Sequence, residues 1–370
     1  MKLEGYRVVD LSQFLPGPHL SMIMADHGAD VIKIEPPGGG DPARQVGLRQ
    51  GEHTVFFRNA NRGKRSVCLN LKDAGDRDQL ARLLDGADVL IEGFRPGVAE
   101  RLGFGPAEVT ARNPRIVYCS ISAFGQSGPY RDIPAHDLAV EAIAGTLSVN
   151  VDDNNDPAIP AVPNADMAAS LMALSAILMA LLRREKSGRG DYIDISMHDA
   201  LVGWMPNILG TVFAEDRAPS PKQERQWGGA AFYNIYPTSD GRHIVLGGQE
   251  LKFVRALLEE LNRADLIELA ERGPGAHQQP LIQYLRTFFA QKSQAEWIEW
   301  FATRTLPFAP VQDLKEAMED KQLAARNMIL RDVHGQRHLG VPIRFRDEPA
   351  APNLTIPGYG EHTRAVLGEM

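Results

Sequence analysis

The sequence predicts an α/β protein, with a large domain on a parallel sheet and a smaller α+β domain. Three observations predict it. Over residues 1–122, short continuous apolar runs alternate with longer helical stretches, the pattern of a parallel sheet covered on both faces. The runs end in segments rich in Gly, Pro and polar residues, as the binding edge of such a sheet does. An irregular stretch, 213–235, then separates this part from a hairpin and a group of helices.

In chain order, "YRVVDLS" reads as a strand, "PHLSMIMADHG" as a helix stopped by glycine, and "ADVIKIE" as a strand. "RSVCLNL" is a strand, "KDAGDRDQLARLLDG" a helix, and "ADVLIEGF" and "RIVYCSIS" are strands. Their ends run into "LSQFLPGP", "IEPPGGGDPAR", "GFRPG" and "SAFGQSGP". "PPGGGD" lacks the G-x-G-x-x-G spacing of a dinucleotide fingerprint and reads as a loop. A helical region spans 137–184, and "DYIDISMHDALVGWM" is a strand–helix pair. "IYPTSDGRHIVLGG" is a hairpin with Asp-Gly at its turn. Helices follow near 250–262, 278–290 and 294–303. The expected domains are 1–212, 213–320 and a C-terminal segment, 321–370, that returns to the large domain.

The 370 residues carry a net charge of −7, which argues against a nucleic-acid surface spread over the protein. Cys68 and Cys119 lie in apolar strand-like runs and are expected to be buried in a reducing compartment. The N-terminus enters a strand pattern directly, with no secretory signal. The apolar stretch "MAASLMALSAILMALL" falls short of a membrane span and reads as a core helix, ended by "RREKSGRGD". These features suit a cytoplasmic protein.

Three positions stand out for chemistry. His136 and Asp137 precede Ala139, Val140, Ala142, Ile143 and Ala144, which read as one buried helical face with Asp137 as its cap. Asp166 opens the long apolar helix, and Glu250 follows a strand and two glycines. Read locally, Asp166 and Glu250 are ordinary first-turn acids. His198–Asp199 lacks further ligands at metal-binding spacing.

Seven blocks in order carry a resemblance: "GYRVVDLSQFLPGPH", "HGADVIKIEPPGGGDPAR", "NRGKRSVCLNLK", "ADVLIEGFRPGVAERLGFG", "AFGQSGP", "LLRREKSGRGDYIDISMHDA" and "GEHTRAVLG". Over nearly its whole length the chain resembles the family III CoA-transferase superfamily. That resemblance implies a Rossmann-like large domain, a small domain reached by linkers, and an interlocked homodimer with its active site at the domain and subunit interface. The superfamily holds CoA-transferases and α-methylacyl-CoA racemases. The racemases carry G-H-D where this chain has Ala135, His136 and Asp137, an aspartate matching Asp166, and a G-x-x-E-x-x-F pattern matching Gly247, Glu250 and Phe253. "PGPH" and "GGAAFYNIY" also look racemase-like.

The resemblance therefore implies a racemase that inverts C2 of a 2-methylacyl-CoA thioester by two-base proton transfer. His136 serves one face, Asp166 the other, and Glu250 supports the imidazole. Two groups that titrate near working pH are what such a reaction needs. Backbone N–H groups at the start of the Asp166 helix are the expected enolate donors. For CoA, the resemblance points to Leu71 and Lys72 at the adenine and to Gly93, Phe94 and Arg101 at the pantetheine and phosphates. Pro36 stands where relatives often carry arginine, and Lys33 or Arg44 is the expected replacement. The alternative is a CoA-transferase with Asp166 as nucleophile; a silent CoA-binding protein is the third reading. CoA enters as part of the substrate, no prosthetic group is expected, and nucleic acid and membrane are not expected partners. Met167, Met172 and Met179 are candidates for an acyl pocket, or else core side chains of their helix.

Overall fold

The computed structural model describes every residue except Asp153, Glu369 and Met370. The chain divides into two compact units. One holds 1–144, 161–204 and the chain from Asp320 onward; the other holds 145–160 and 205–319.

The first unit is built on a six-stranded sheet with Arg65–Cys68, Asp30–Glu35, Arg7–Asp10, Val89–Glu92, Val117–Ser122 and Tyr192–Ser196 side by side. Every neighbouring pair is parallel. Numbered along the chain, the order is 3-2-1-4-5-6, that of a doubly wound nucleotide-binding sheet. The strands are short apolar runs because both faces are covered. Val9, Ile32, Ile34, Val67 and Leu90 pack with Leu80, Leu83, Leu84 and Val109 of helices Ala74–Asp85 and Pro106–Arg112. The alternate residues Val8, Val31, Val89 and Ile91 are also buried, and helices Pro16–Asp26 and Asn164–Ser187 belong to the same unit.

The strand order reverses between Arg7–Asp10 and Val89–Glu92, which lie side by side. Ligands of such sheets bind beyond the strand C-termini at this switch. The loop after Asp10 and the loop after Glu92 therefore flank the expected binding crevice. Helices that connect parallel strands start at this same edge.

The helix Asn164–Ser187 has 24 residues, more than the apolar stretch alone suggested, and is long and apolar enough to cross a membrane. It buries Ala165, Ala169, Ala173, Ile177 and Leu181 along one side, as a core helix does. Gly188, at φ +70°, closes it in the left-handed conformation, donating its N–H to the Arg184 carbonyl at 2.8 Å. Its methionines are not core side chains: Met172 and Met179 are exposed and Met167 is half-buried. A ribbon, Arg49–Gln50 with His53–Thr54, and the helix Val55–Asn61 were not foreseen from sequence. The helix is capped by the Thr54 hydroxyl, which accepts the Phe57 N–H at 3.0 Å. Cys119 is fully buried, whereas Cys68 is only half-buried, its Sγ 2.9 Å from the Tyr359 hydroxyl.

The second unit carries an antiparallel sheet of Phe308–Pro310, His243–Gly247 and Tyr233–Pro237. The expected Asp-Gly turn joins the last two, with Gly241 at φ +75°. Helices Leu251–Glu260, Gln279–Phe289 and Gln294–Phe301 enclose a core of Tyr236, Leu257, Phe289, Trp297 and Phe301. Chain segment 145–160, assigned from sequence to the large domain, belongs to this unit.

Candidate active site

His136 ends the loop that leaves strand Val117–Ser122. Its carbonyl accepts the N–H groups of Ala139 (3.0 Å) and Val140 (3.2 Å), so it is His136 that starts the helix Asp137–Ala144. The imidazole is exposed and meets the Phe14 ring edge-to-face, centroids 6.0 Å apart at 79°. The face of this helix differs from expectation. Val140 and Glu141 are buried, while Ile143 is exposed.

Asp137 does not cap its own helix. Its Oδ1 accepts the backbone N–H groups of Ala165 (2.8 Å) and Asp166 (3.1 Å), at the start of the long helix. Glu141 Oε1 accepts the Asn164 backbone N–H at 3.1 Å and its side-chain amide at 3.0 Å. Three orphan donors of the long helix are thus satisfied by two acids of the short one. This overturns the expectation that these N–H groups stabilise an enolate: they are occupied.

The same contacts bring Asp166 beside the residue that follows His136. Asp166 is half-buried, and among the described residues no hydrogen bond to its carboxyl is seen. Burial, aided by the Asp137 charge, pushes its pKa up to about 7. Burial likewise raises Asp137, with Glu141 adding to the effect. Glu250 lies in the second unit, exposed, immediately before helix Leu251–Glu260; its carbonyl accepts the Phe253 N–H at 2.8 Å and its side chain caps nothing. Beside it, Gly248 is pressed against Pro307 and Phe253, where a Cβ would meet the proline ring at 2.4 Å.

The residues expected at CoA lie along the strand ends. Leu71 is half-buried against the sheet core, and Lys72 is exposed. The Leu71 and Lys72 carbonyls both accept from Arg77, at 3.3 and 3.0 Å. Gly93 and Phe94 follow Glu92 at the switch in strand order, and Phe94 stacks obliquely on Phe104, centroids 5.8 Å apart. The Phe94 N–H donates to Glu92 Oε2 at 2.7 Å, and burial raises the Glu92 carboxyl to about 7. Arg101 is exposed, on the short helix Val98–Arg101. Its guanidinium and that of Arg131 converge on Gly97, 3.3 and 3.4 Å from where a Cβ there would stand. Two cations over one glycine suit an anionic group. Arg131 escaped the sequence reading, although it stands in the same Gly-Pro-rich segment that leads to His136.

Neither proposed replacement for the missing arginine at Pro36 is free. Lys33 is fully buried, paired with Asp41 at 2.8 Å and donating to the Ser12 carbonyl at 2.9 Å. Arg44 grips Glu35 through Nη2 (2.6 Å) and Nε (2.7 Å) and stacks on Phe57, 3.8 Å from the ring centre.

Residues 3–363 match the model of CoA-transferase family III, and the chain belongs to that family. It is an enzyme of the family III CoA-transferase/racemase superfamily, whose members use CoA thioesters. Its relatives carry both activities. An acetyl-CoA:oxalate CoA-transferase from Acetobacter aceti is 33% identical over 368 residues, 96% of this chain and 93% of the relative. An alpha-methylacyl-CoA racemase from Mus musculus is 33% identical over 375 residues, 100% of this chain and 93% of the relative. The crystal structure of a CAIB/BAIF family protein from Brucella suis superposes with a TM-score of 0.85 at 28% identity, covering 99% of this chain and 98% of the other.

Proposed function

We propose that this enzyme is an acyl-CoA racemase that inverts C2 of a 2-methylacyl-CoA thioester. His136 and Asp166 exchange protons with the two faces of C2, and Glu250 supports the imidazolium. The observation that carries the reading is the Asp166 carboxyl, unbonded, half-buried and raised to about 7. At that value both protonation states are populated at neutral pH, as a group that alternately removes and returns a proton requires. For the enolate oxygen, the first N–H groups of helix Asp137–Ala144, those of Asp137 and Leu138, have no acceptor within their helix. They replace the occupied donors of the long helix in this reading. Leu71, Lys72, Gly93, Phe94 and Arg101 hold the CoA moiety, with Arg131 joining Arg101 at a phosphate.

The second reading, a CoA-transferase with Asp166 as nucleophile, is supported by relatives of equal identity that bear that name. One experiment separates them. Incubated with a 2-methylacyl-CoA in heavy water and no second acid, a racemase exchanges the α-hydrogen and erodes chirality. Strict dependence on an added carboxylate, without α-exchange, establishes the transferase instead.

For assembly, the reading is an interlocked homodimer. Leu171, Met172, Leu178, Met179 and Leu182 leave an apolar stripe exposed on the long helix, larger than isolated surface residues present. Sedimentation at high dilution tests it: a folded monomer that appears on dilution rules out interlocking.

A further inference from the structure

Among the described residues, six other than glycine adopt positive φ: Phe14, Asn155, Asp216, Lys222, Asn262 and Asn327. Asn and Asp tolerate this conformation because their short polar side chains bond locally. Phe14, at φ +61°, has no such excuse and is the one aromatic ring in the set. A bulky residue in the left-handed region persists only where its surroundings impose it, and such strain collects at functional sites.

The surroundings here are fully buried charges. The Phe14 N–H donates to Asp41 Oδ1 at 3.2 Å. Asp41 is fixed by its pair with Lys33, 2.8 Å away and wholly buried. Lys33 in turn donates to the Ser12 carbonyl at 2.9 Å, and the Ser12 N–H donates to Asp10 Oδ1 at 2.9 Å. Residues 12 and 14 are therefore pinned from both sides of Gln13. The loop closes tightly afterwards: a Cβ on Gly17 would stand 2.1 Å from the Ser12 hydroxyl. The imposed φ leaves the Phe14 ring 37% exposed rather than buried, with its one aromatic neighbour the His136 imidazole.

We propose that Phe14 is a positioning residue for His136: its strained backbone conformation holds an aromatic ring against the imidazole and restricts it to one orientation. The inference rests on the proton-transfer reading of His136 given above. An exposed imidazole otherwise rotates freely about its side-chain bonds, and a misdirected base loses rate without losing substrate affinity. The ring adds no charge and makes no hydrogen bond, so its effect falls on geometry, on kcat rather than KM.

The test uses Phe14→Gly and Phe14→Tyr in the full chain. Glycine removes both the ring and the strain, so Phe14→Gly melts at or above the wild-type temperature and misfolding does not confuse the result. α-Deuterium exchange of the separate enantiomers of a 2-methylacyl-CoA is measured for each variant. Phe14→Gly lowers kcat for the enantiomer deprotonated by His136 by roughly tenfold to a hundredfold. The enantiomer served by Asp166 and the KM of both stay near wild type, and Phe14→Tyr restores the lost rate. In parallel, the His136 C2–H proton resonance, displaced by the ring current of Phe14, returns toward the position of a free histidine in Phe14→Gly alone. Unchanged exchange and an unmoved resonance, or an equal loss for both enantiomers, overturn the proposal. Wild-type protein that exchanges no α-hydrogen overturns the proton-transfer reading, and the role of Phe14 with it.

Discussion

The Asp137 carboxylate is bound to the backbone of Asp166, Oδ1 to N at 3.1 Å, and its charge helps to keep the Asp166 side chain protonated. One acid thus anchors the helix on which the other acid sits and tunes it. Asp137→Asn retains an acceptor for both N–H groups and removes the charge. Asp166 then ionises at lower pH. Exchange of the enantiomer for which Asp166 acts as base extends to more acidic solution, and the acid limb of its pH profile reports this. Asp137→Ala also loses the cap, costing about 1 kcal/mol, which urea unfolding measures. An acid limb that stays in place for Asp137→Asn refutes the coupling.

The raised Asp166 carboxyl makes stability depend on pH with a definite sign. The folded chain holds this proton up to about 7, whereas an unfolded aspartate releases it at 3.8. Between these values the folded state binds more protons, so stability falls as pH rises. Asp166→Asn removes that cost. The variant is more stable than wild type at pH 8, by up to about 4 kcal/mol for a shift from 3.8 to about 7 and by less where water screens the carboxyl, and the advantage disappears below about pH 4. Chemical denaturation at the two pH values checks this; an equal gain at both assigns it to packing instead.

If His136 and Asp166 serve opposite faces of C2, as proposed, their single variants are complementary. His136→Ala and Asp166→Ala each lose racemisation by about 10²–10⁴-fold. Each still washes deuterium into one enantiomer, and the two variants choose opposite ones. Glu250→Gln behaves as a weaker His136 variant. Full activity in His136→Ala, together with a borohydride-trapped adduct on Asp166, selects the transferase.

The Lys33–Asp41 pair is wholly buried. Asp10 and Glu35 also act on the Lys33 ammonium, so Asp41→Ala weakens its compensation without stranding it and lowers unfolding free energy by less than the roughly 3–5 kcal/mol of a fully unpaired buried charge. The double variant Lys33→Met, Asp41→Ala recovers part of that loss, because no under-compensated ammonium remains there. A single variant within about 0.5 kcal/mol of wild type, the usual range for an unremarkable surface position, contradicts the burial.

The strands were legible because both faces of a parallel sheet are apolar, so "RVVD", "DVIKIE" and "VLIE" announce themselves. His136 and Asp166 stood out in the sequence as residue types set within motifs of the family that the chain matches. What covers a helix was not. Periodicity marks a face, but the exposure of Ile143 and Met179 depends on elements far along the chain. Capping by Asp137 acts across 28 residues, whereas the sequence signal for a cap is local. Lys33 and Arg44 looked available for a phosphate because nothing in the local sequence reveals that Asp41 and Glu35 have taken them. The φ of Phe14 is dictated by that same buried network and leaves no trace in its neighbours' identities.

The final helix reaches back to the third strand of the large sheet. Thr363 Oγ1 accepts the Cys68 N–H across 295 residues, the His362 N–H donates to the Ser66 carbonyl at 2.8 Å, and Val366 enters the first core. During synthesis the ribosome delivers the whole of 205–319 before this closing piece. The edge of strand Arg65–Cys68 therefore stays open while the stretch between it and Thr363 is synthesised, during which the inserted unit is already free to fold. That interval is when the nascent chain is most exposed to mispairing at a sheet edge, and it ends only when residues 359–368 have emerged.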